Sequence, residues 1–135
     1  MSGEVNLQIL LKEMKPSLNE GQYVYCTVKS KDQAARLAPL GMFAEEESVT
    51  VILPKGRADS WNLPYSAIFA WITLTIHSSL EAVGLTSAMA KALTEADISC
   101  NIVAAYYHDH IFVPIQEAER AMNVLPALTG EKHEQ

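Results

Sequence analysis

Apolar and polar positions alternate along residues 69–85 (FAWITLTIHSSLEAVGL), and this stretch predicts the strand around which the rest of the chain is arranged. Ala70, Ile72, Leu74 and Ile76 fall on one face, and Phe69, Trp71, Thr73, Thr75 and His77 on the other. A period of two is a strand pattern. The first face is wholly apolar and is expected to lie on helices. The second is mixed, aromatic at one end and hydroxyl-bearing at the other. His77, Ser78 and Ser79 leave the sheet, and Gly84 lets the backbone turn without a Cβ penalty. The period then changes. Leu85, Ala88, Met89, Ala92, Leu93 and Ala96 make an apolar stripe at helical spacing, with Thr86, Ser87, Lys91, Thr94 and Glu95 on the outer face and Asp97 at the end.

The same reading continues in both directions. Residues 5–14 (VNLQILLKEM) carry helical spacing that Pro16 stops, and Asn19, Glu20 and Gly21 make a turn. Residues 22–29 (QYVYCTVK) alternate as a strand, with Val24, Cys26 and Val28 on one face. Residues 32–40 fit a short helix limited by Pro39 and Gly41, and 42–47 (MFAEEE) fit a strand or a surface turn. Residues 48–53 (SVTVIL) read as a buried strand ended by Pro54, Lys55 and Gly56, and 58–65 as a connector holding Trp61. Beyond the central helix, 99–107 (SCNIVAAYY) predict a strand, His108, Asp109 and His110 a tight hairpin turn, and 111–115 (IFVPI) the returning strand. Residues 116–128 predict a helix with Ala118, Ala121, Met122, Leu125 and Leu128 inward, and the tail 129–135 is polar and expected to fray. The second half therefore runs β-α-β-β-α. A ferredoxin-like βαββαβ unit needs one more strand. The tail cannot supply it, so 48–53 from the first half is expected to complete the sheet.

Composition narrows the classes. The 135 residues fit one domain or two very small units that share a core. A formal net charge of −6 lacks the basic footprint of a nucleic-acid binder. No apolar run reaches the ~18 residues of a membrane span, and the N-terminus lacks a basic segment followed by an apolar one. Cys26 and Cys100 lie far apart in apolar runs and read as buried thiols of a reducing compartment. A cytoplasmic location is expected, with no nucleic acid and no membrane as partners.

Candidate chemistry is sparse. His108 and His110 have the spacing of two metal ligands, but no third ligand or HExxH or CxxC pattern supports them. Ser78 or Ser79 beside His77 lacks the GxSxG elbow of a nucleophile. Glu45, Glu46 and Glu47 read as a solvated acidic edge, and Trp71, Tyr106 and Tyr107 as core or subunit contact. No catalytic residues, metal or cofactor are expected. The feature that remains is the polar loop between strand and helix, whose backbone N–H groups suit a carboxylate or phosphate. Its plain reading is an ordinary connector.

The strand FAWITLTIHS, the loop SLEAVGLT, the helix TSAMAKALTEADIS and the strand CNIVAAYYHDHIFVP resemble an ACT domain, a small regulatory fold of amino-acid metabolism. PSLNEGQYVYCTV and VTVILP resemble a degenerate first unit of the same kind. The whole is similar to small bacterial tandem-ACT proteins, to aspartate kinase regulatory regions and to cytosolic arginine sensors. The resemblance implies an α+β chain of two interlocked ferredoxin-like ACT units, a degenerate one over 1–65 and a second over 66–128. It implies a non-catalytic regulatory or sensor protein, allosteric and homodimeric, that binds a small amino acid where paired domains meet and acts on a metabolic enzyme. The implied ligand residues are Ser78, Ser79, Glu81, Ala82, Val83, Gly84 and Leu85 of the loop, with Asn101 and Ile102 at the next strand. Backbone N–H groups from Ala82 to Leu85 would receive a carboxylate, and Glu81 or Asn101 an ammonium. The alternative is a ligand-free interaction module.

Overall fold

The computed structural model describes residues 15–74 and 85–126. The expected helix over 5–14, the loop over 75–84 and the tail beyond 126 lie outside the described residues. Packing groups Gly21–Phe69 into one compact unit, and the described residues up to Glu20 with those from Ala70 onward into another.

The first unit is built from β2 (Tyr23–Val28), α1 (Lys31–Arg36), β3 (Gly41–Ala44), β4 (Val49–Pro54) and α2 (Lys55–Ser60), numbered after β1, which belongs to the other unit. Its sheet order is β3-β4-β2, antiparallel throughout, with Val24 opposite Leu53 and Phe43 opposite Thr50. Alternation puts Val24, Cys26, Val28, Val49, Val51 and Leu53 on one face, where they close a core with Ala34 of α1, Leu37 at its end and Ala58 of α2. Cys26 is buried and unbridged, as its apolar setting predicts, and burial pushes its thiol pKa up. The helix α1 starts at Ser30, whose Oγ accepts from the Gln33 amide at 3.1 Å, while the Gln33 side chain accepts from the Lys29 amide at 3.1 Å. This reciprocal cap satisfies two otherwise orphaned donors. Ser30→Ala is expected to cost about 1 kcal/mol in denaturant unfolding, with the slope unchanged.

One expectation for this unit is overturned. Lys55 and Gly56 do not merely end a strand. Pro54 closes β4 and leads straight into α2, so that 58–60 are helical and the connector begins only after Ser60. Six residues are too few to show an apolar stripe, and a single buried residue, Ala58, marks the inner face. The side chain of Arg57 donates to the carbonyls of Leu37 and Ala38, which holds α2 against the end of α1. The connector is tied back by Tyr65, whose hydroxyl donates to Asp59 at 2.7 Å while Lys55 pairs with the other carboxylate oxygen.

The second unit contains β1 (Pro16–Leu18), β5 (Phe69–Leu74, counted here from Ala70), α3 (Leu85–Glu95), β6 (Asn101–Ala104), β7 (Asp109–Pro114), a 3₁₀ turn (Ile115–Glu117) and α4 (Ala118–Val124). Its strands lie in the order β1-β5-β7-β6. Ala70, Ile72 and Leu74 of β5 and Ile111 and Val113 of β7 face the helices, and Met89, Leu93, Ala121 and Leu125 close on them. Met89 and Leu93 of the apolar stripe read from the sequence are therefore on the buried side of α3. Asp97 ends it with a positive φ of 63°, a conformation aspartate tolerates through its short polar side chain.

Two further expectations are corrected. The strand that completes this sheet is not 48–53. That segment belongs to β4 and pairs with β2 and β3, whereas β1 pairs antiparallel with β5, Pro16 opposite Leu74 and Leu18 opposite Ile72. A three-residue strand opened by proline gives no periodic signal, and Pro16 is tolerated because it opens an edge strand. The hairpin turn is also displaced. It is closed by the Ala105 amide donating to the His108 carbonyl at 3.0 Å, and Asp109 and His110 already belong to β7. Val103 stands opposite His110, and Ala104 opposite Asp109.

Candidate functional site

Asp109 and His110 stand at the start of β7, on opposite faces of the sheet because successive strand residues alternate. Asp109 shares the helix-facing side with Ile111 and Val113. It is the one charged or polar residue among those described that is buried, at 7 % exposure. Its carboxyl makes no hydrogen bond among the described residues, and burial raises its pKa, opposed by the neighbouring His110 and His108. A buried carboxylate is costly to keep unless something donates to it.

On the other face, His110 is enclosed by a polar cluster. Its Nδ1 accepts from the Trp71 indole Nε1 at 3.0 Å and lies 3.2 Å from the Thr73 hydroxyl. Thr73 accepts in turn from the Asn19 side-chain amide at 2.9 Å, and both the backbone and side-chain amides of Asn19 donate to the Trp71 carbonyl, at 2.9 and 3.1 Å. Because Trp71 can only donate, Nδ1 is unprotonated and the neutral ring carries its proton on Nε2. Burial lowers the His110 pKa, in keeping with that state. Trp71 also stacks on the buried ring of Phe112, with centroids 6.4 Å apart and planes 15° from parallel. The mixed face of the central strand is thus an aromatic and hydroxyl layer held by β7 and the end of β1.

The contact between His110 and Thr73 fixes a position that matters for the loop. Thr73 is the residue before β5 ends at Leu74, so the Asp109 end of β7 lies at the end of β5 from which residues 75–84 depart. Of the residues implied as ligand-binding, Ser78, Ser79, Glu81, Ala82, Val83 and Gly84 lie outside the described residues, and Leu85 opens α3. Asn101 is exposed and stands opposite Phe112, and Ile102 packs half-buried against the helix-side core, opposite Ile111. Asn101 is three ladder positions from the partner of Asp109, about 10 Å along the strand. Asp109, rather than Asn101, lies at the end of β5 from which residues 75–84 depart. The sequence carried a signal for it, a lone carboxylate next to an apolar run, but the turn reading placed it in solvent.

Comparison with known proteins now decides the family. Sequence profiles described as ACT domain match residues 2–70 and 67–127. A Vibrio cholerae protein of unknown function, described as a possible transport protein, is 44% identical, with a TM-score of 0.85 over 95% of this chain and 99% of the other. The chain belongs to the ACT-domain family. Two ACT units account for the β-α-β-β-α order found in each half, with α+β layers built on antiparallel strands. More distant structures share the fold alone. The ligand-free regulatory subunit of aspartate kinase from Thermus thermophilus matches with a TM-score of 0.62 at 9% identity, over 84% of this chain and 95% of that one. An Agrobacterium tumefaciens protein matches with a TM-score of 0.71 at 12% identity, over 86% and 89%. Among curated proteins, none matches the chain. ACT domains are regulatory modules, and small-molecule binding is their usual role. No helix among the described residues is long and apolar enough to cross a membrane, and no group of three or more histidine, cysteine, aspartate or glutamate side chains among them is placed to hold a metal ion.

Proposed function

We infer that the protein is a non-catalytic, cytoplasmic sensor that binds a small amino acid and regulates a metabolic enzyme from outside that enzyme's chain, working as a homodimer. The observation that carries the reading is Asp109, a buried carboxyl without a hydrogen-bond partner among the described residues, standing where β5 gives way to the loop. A cationic group supplies what such a carboxylate lacks, and charge-assisted hydrogen bonds to it are about twice as strong as neutral ones. The ligand's ammonium, or a basic side chain, therefore belongs on Asp109. Its carboxylate belongs on the backbone amides from Ala82 to Leu85, with Ser78, Ser79 and Glu81 alongside, because the first turn of α3 offers unpaired N–H groups and a positive dipole end. Asn101 and Ile102 then border the site instead of gripping the ligand's charge.

The test is a thermal-shift screen of the full chain against the twenty amino acids and simple diamines at millimolar concentration. A ligand that binds only the folded state raises the melting temperature with its excess over Kd. A selective hit among amino acids, shared by no diamine, is the expected result. A flat screen overturns the sensor reading and leaves the chain as an interaction module. A hit by diamines alone would show a cation site without amino-acid recognition, and would overturn the carboxylate half of the reading.

A further inference from the structure

We propose that His110 is a proton-sensitive latch that holds β1 on the sheet of the second unit, and that its protonation releases the Pro16–Asn19 segment from β5. The elements of the latch form one connected set: His110 Nδ1, the Trp71 indole, the Thr73 hydroxyl and both amides of Asn19.

The chemistry makes the set exclusive of a charged histidine. Adding a proton to Nδ1 turns the acceptor of this network into a donor. The Thr73 hydroxyl can rotate and accept from the new N–H, but the Trp71 indole has no lone pair to offer and loses its partner. A half-buried N–H facing another N–H is then doubly unfavourable, through the lost bond and through the charge held away from water. The indole must move, and Trp71 is the residue whose carbonyl receives both Asn19 amides. Thr73, once turned, accepts from His110 and Asn19 together, which weakens the second anchor. Three paired residues, opened by a proline with no N–H, join β1 to β5, and the last helix also lies against β1.

On its own hairpin, His108 disfavours a charge on His110 and Asp109 favours it. Among the described residues, the side chains set against it from β5 are Trp71 and Thr73, from the end of β1 Asn19, and from the opposite position on β6 Val103, none of which titrates between pH 5 and 8. Burial already lowers the pKa of His110. Its contribution to the latched state is therefore present above the ordinary histidine range and is lost as the pH falls through the lowered value. Release would uncover the edge of β5 at Ile72–Leu74, whose backbone groups β1 pairs.

The latch is read by amide exchange and by NMR of the full chain between pH 7.5 and 5, with a Trp61→Phe variant assigning the Trp71 indole. The expected result is a single titration of the Trp71 indole N–H that coincides with the titration of the His110 ring. Protection of the Asn19 amide, corrected for the intrinsic pH dependence of exchange, falls over the same range. The fall is about tenfold for each unit by which the His110 pKa rises on release. His110→Gln keeps an acceptor for Trp71 but cannot titrate, so its Asn19 protection stays flat, whereas His108→Gln keeps the transition. The proposal is overturned if His110→Gln responds to pH as the parent does. It is equally overturned if the His110 ring titrates in the parent while Asn19 protection holds, a readout that needs no variant to fold.

Discussion

Asp109→Asn should remove the melting-temperature rise given by the amino-acid ligand and leave the ligand-free protein at least as stable as the parent. The two halves of this expectation have one cause. The native carboxyl is buried with no hydrogen bond among the described residues, and burial raises its pKa. A carboxyl whose pKa is raised by folding favours the folded state below its unfolded pKa and weighs against it as the pH rises through the folded value. At neutral pH the charge is a net burden, and the neutral, nearly isosteric amide relieves it. The ligand loses the opposite way, because its cation would meet a dipole in place of a charge. Truncating one side of a buried charged pair costs about 2–5 kcal/mol, roughly 30- to 4,000-fold in Kd. A carboxyl with a purely structural role behaves otherwise, since its loss lowers the melting temperature and spares the ligand response. That outcome would retire Asp109 as the cation site, and a full response in both the variant and the parent would do the same.

Both strand–helix units were legible in the sequence wherever the period was long enough to count. The alternation of 22–29 and 69–74 and the stripe of α3 are strong because each repeats at least three times, and the structure buries the side that each pattern assigns to the core. The elements that escaped are short. Pro16–Leu18 is three residues, and its strand state comes wholly from pairing with Ile72–Leu74, a contact more than fifty positions away. Helix α2 has six residues and one buried position. The displaced hairpin has a different origin. His-Asp-His has the polarity of a turn, yet the chain turns earlier, at residues 105–108, and exposes the rings of Tyr106 and Tyr107 instead. Aromatic turn residues invert the usual polarity signal, and the inversion hid Asp109 and His110 together. The loop is legible in the change from strand to helix period and its ligand residues in the family resemblance, whereas the carboxyl at the end of β5 emerges only when strand order brings β7 next to β5.

Leu93→Ala is expected to have the largest effect on stability of any single change in the second unit. Leu93 is fully buried in the last turn of α3 and shares its core with Ile72, Leu74, Met89, Ile98 and Leu125. Its backbone carbonyl also accepts the amides of Ala96 and Ile98, at 3.1 and 2.9 Å, so the residue anchors the helix end as well as the core. Those backbone bonds survive truncation of the side chain, and the helix gains slightly from alanine's higher propensity. The loss is the transfer energy of the side chain and the packing around it, about 3–5 kcal/mol for a site held on several sides by other buried groups. Against a typical total of 5–15 kcal/mol this would bring the fold near its limit and lower the melting temperature by about 10–20 °C. Thr94→Ala, one position along on the exposed face, should change stability by less than about 0.5 kcal/mol, which separates core packing from helix propensity. A loss below about 1 kcal/mol for Leu93→Ala in urea unfolding would mean that α3 does not close this core. The helix that Leu93 holds is also the one the proposed ligand loop enters, which adds a second readout. Ligand at a hundredfold excess over Kd restores about 2.7 kcal/mol by mass action alone, if the variant still assembles the site when folded. Recovery of that size would show that the core supports the site without tuning it. A folded variant that gains nothing from ligand would show instead that the packing of α3 sets the geometry of the loop.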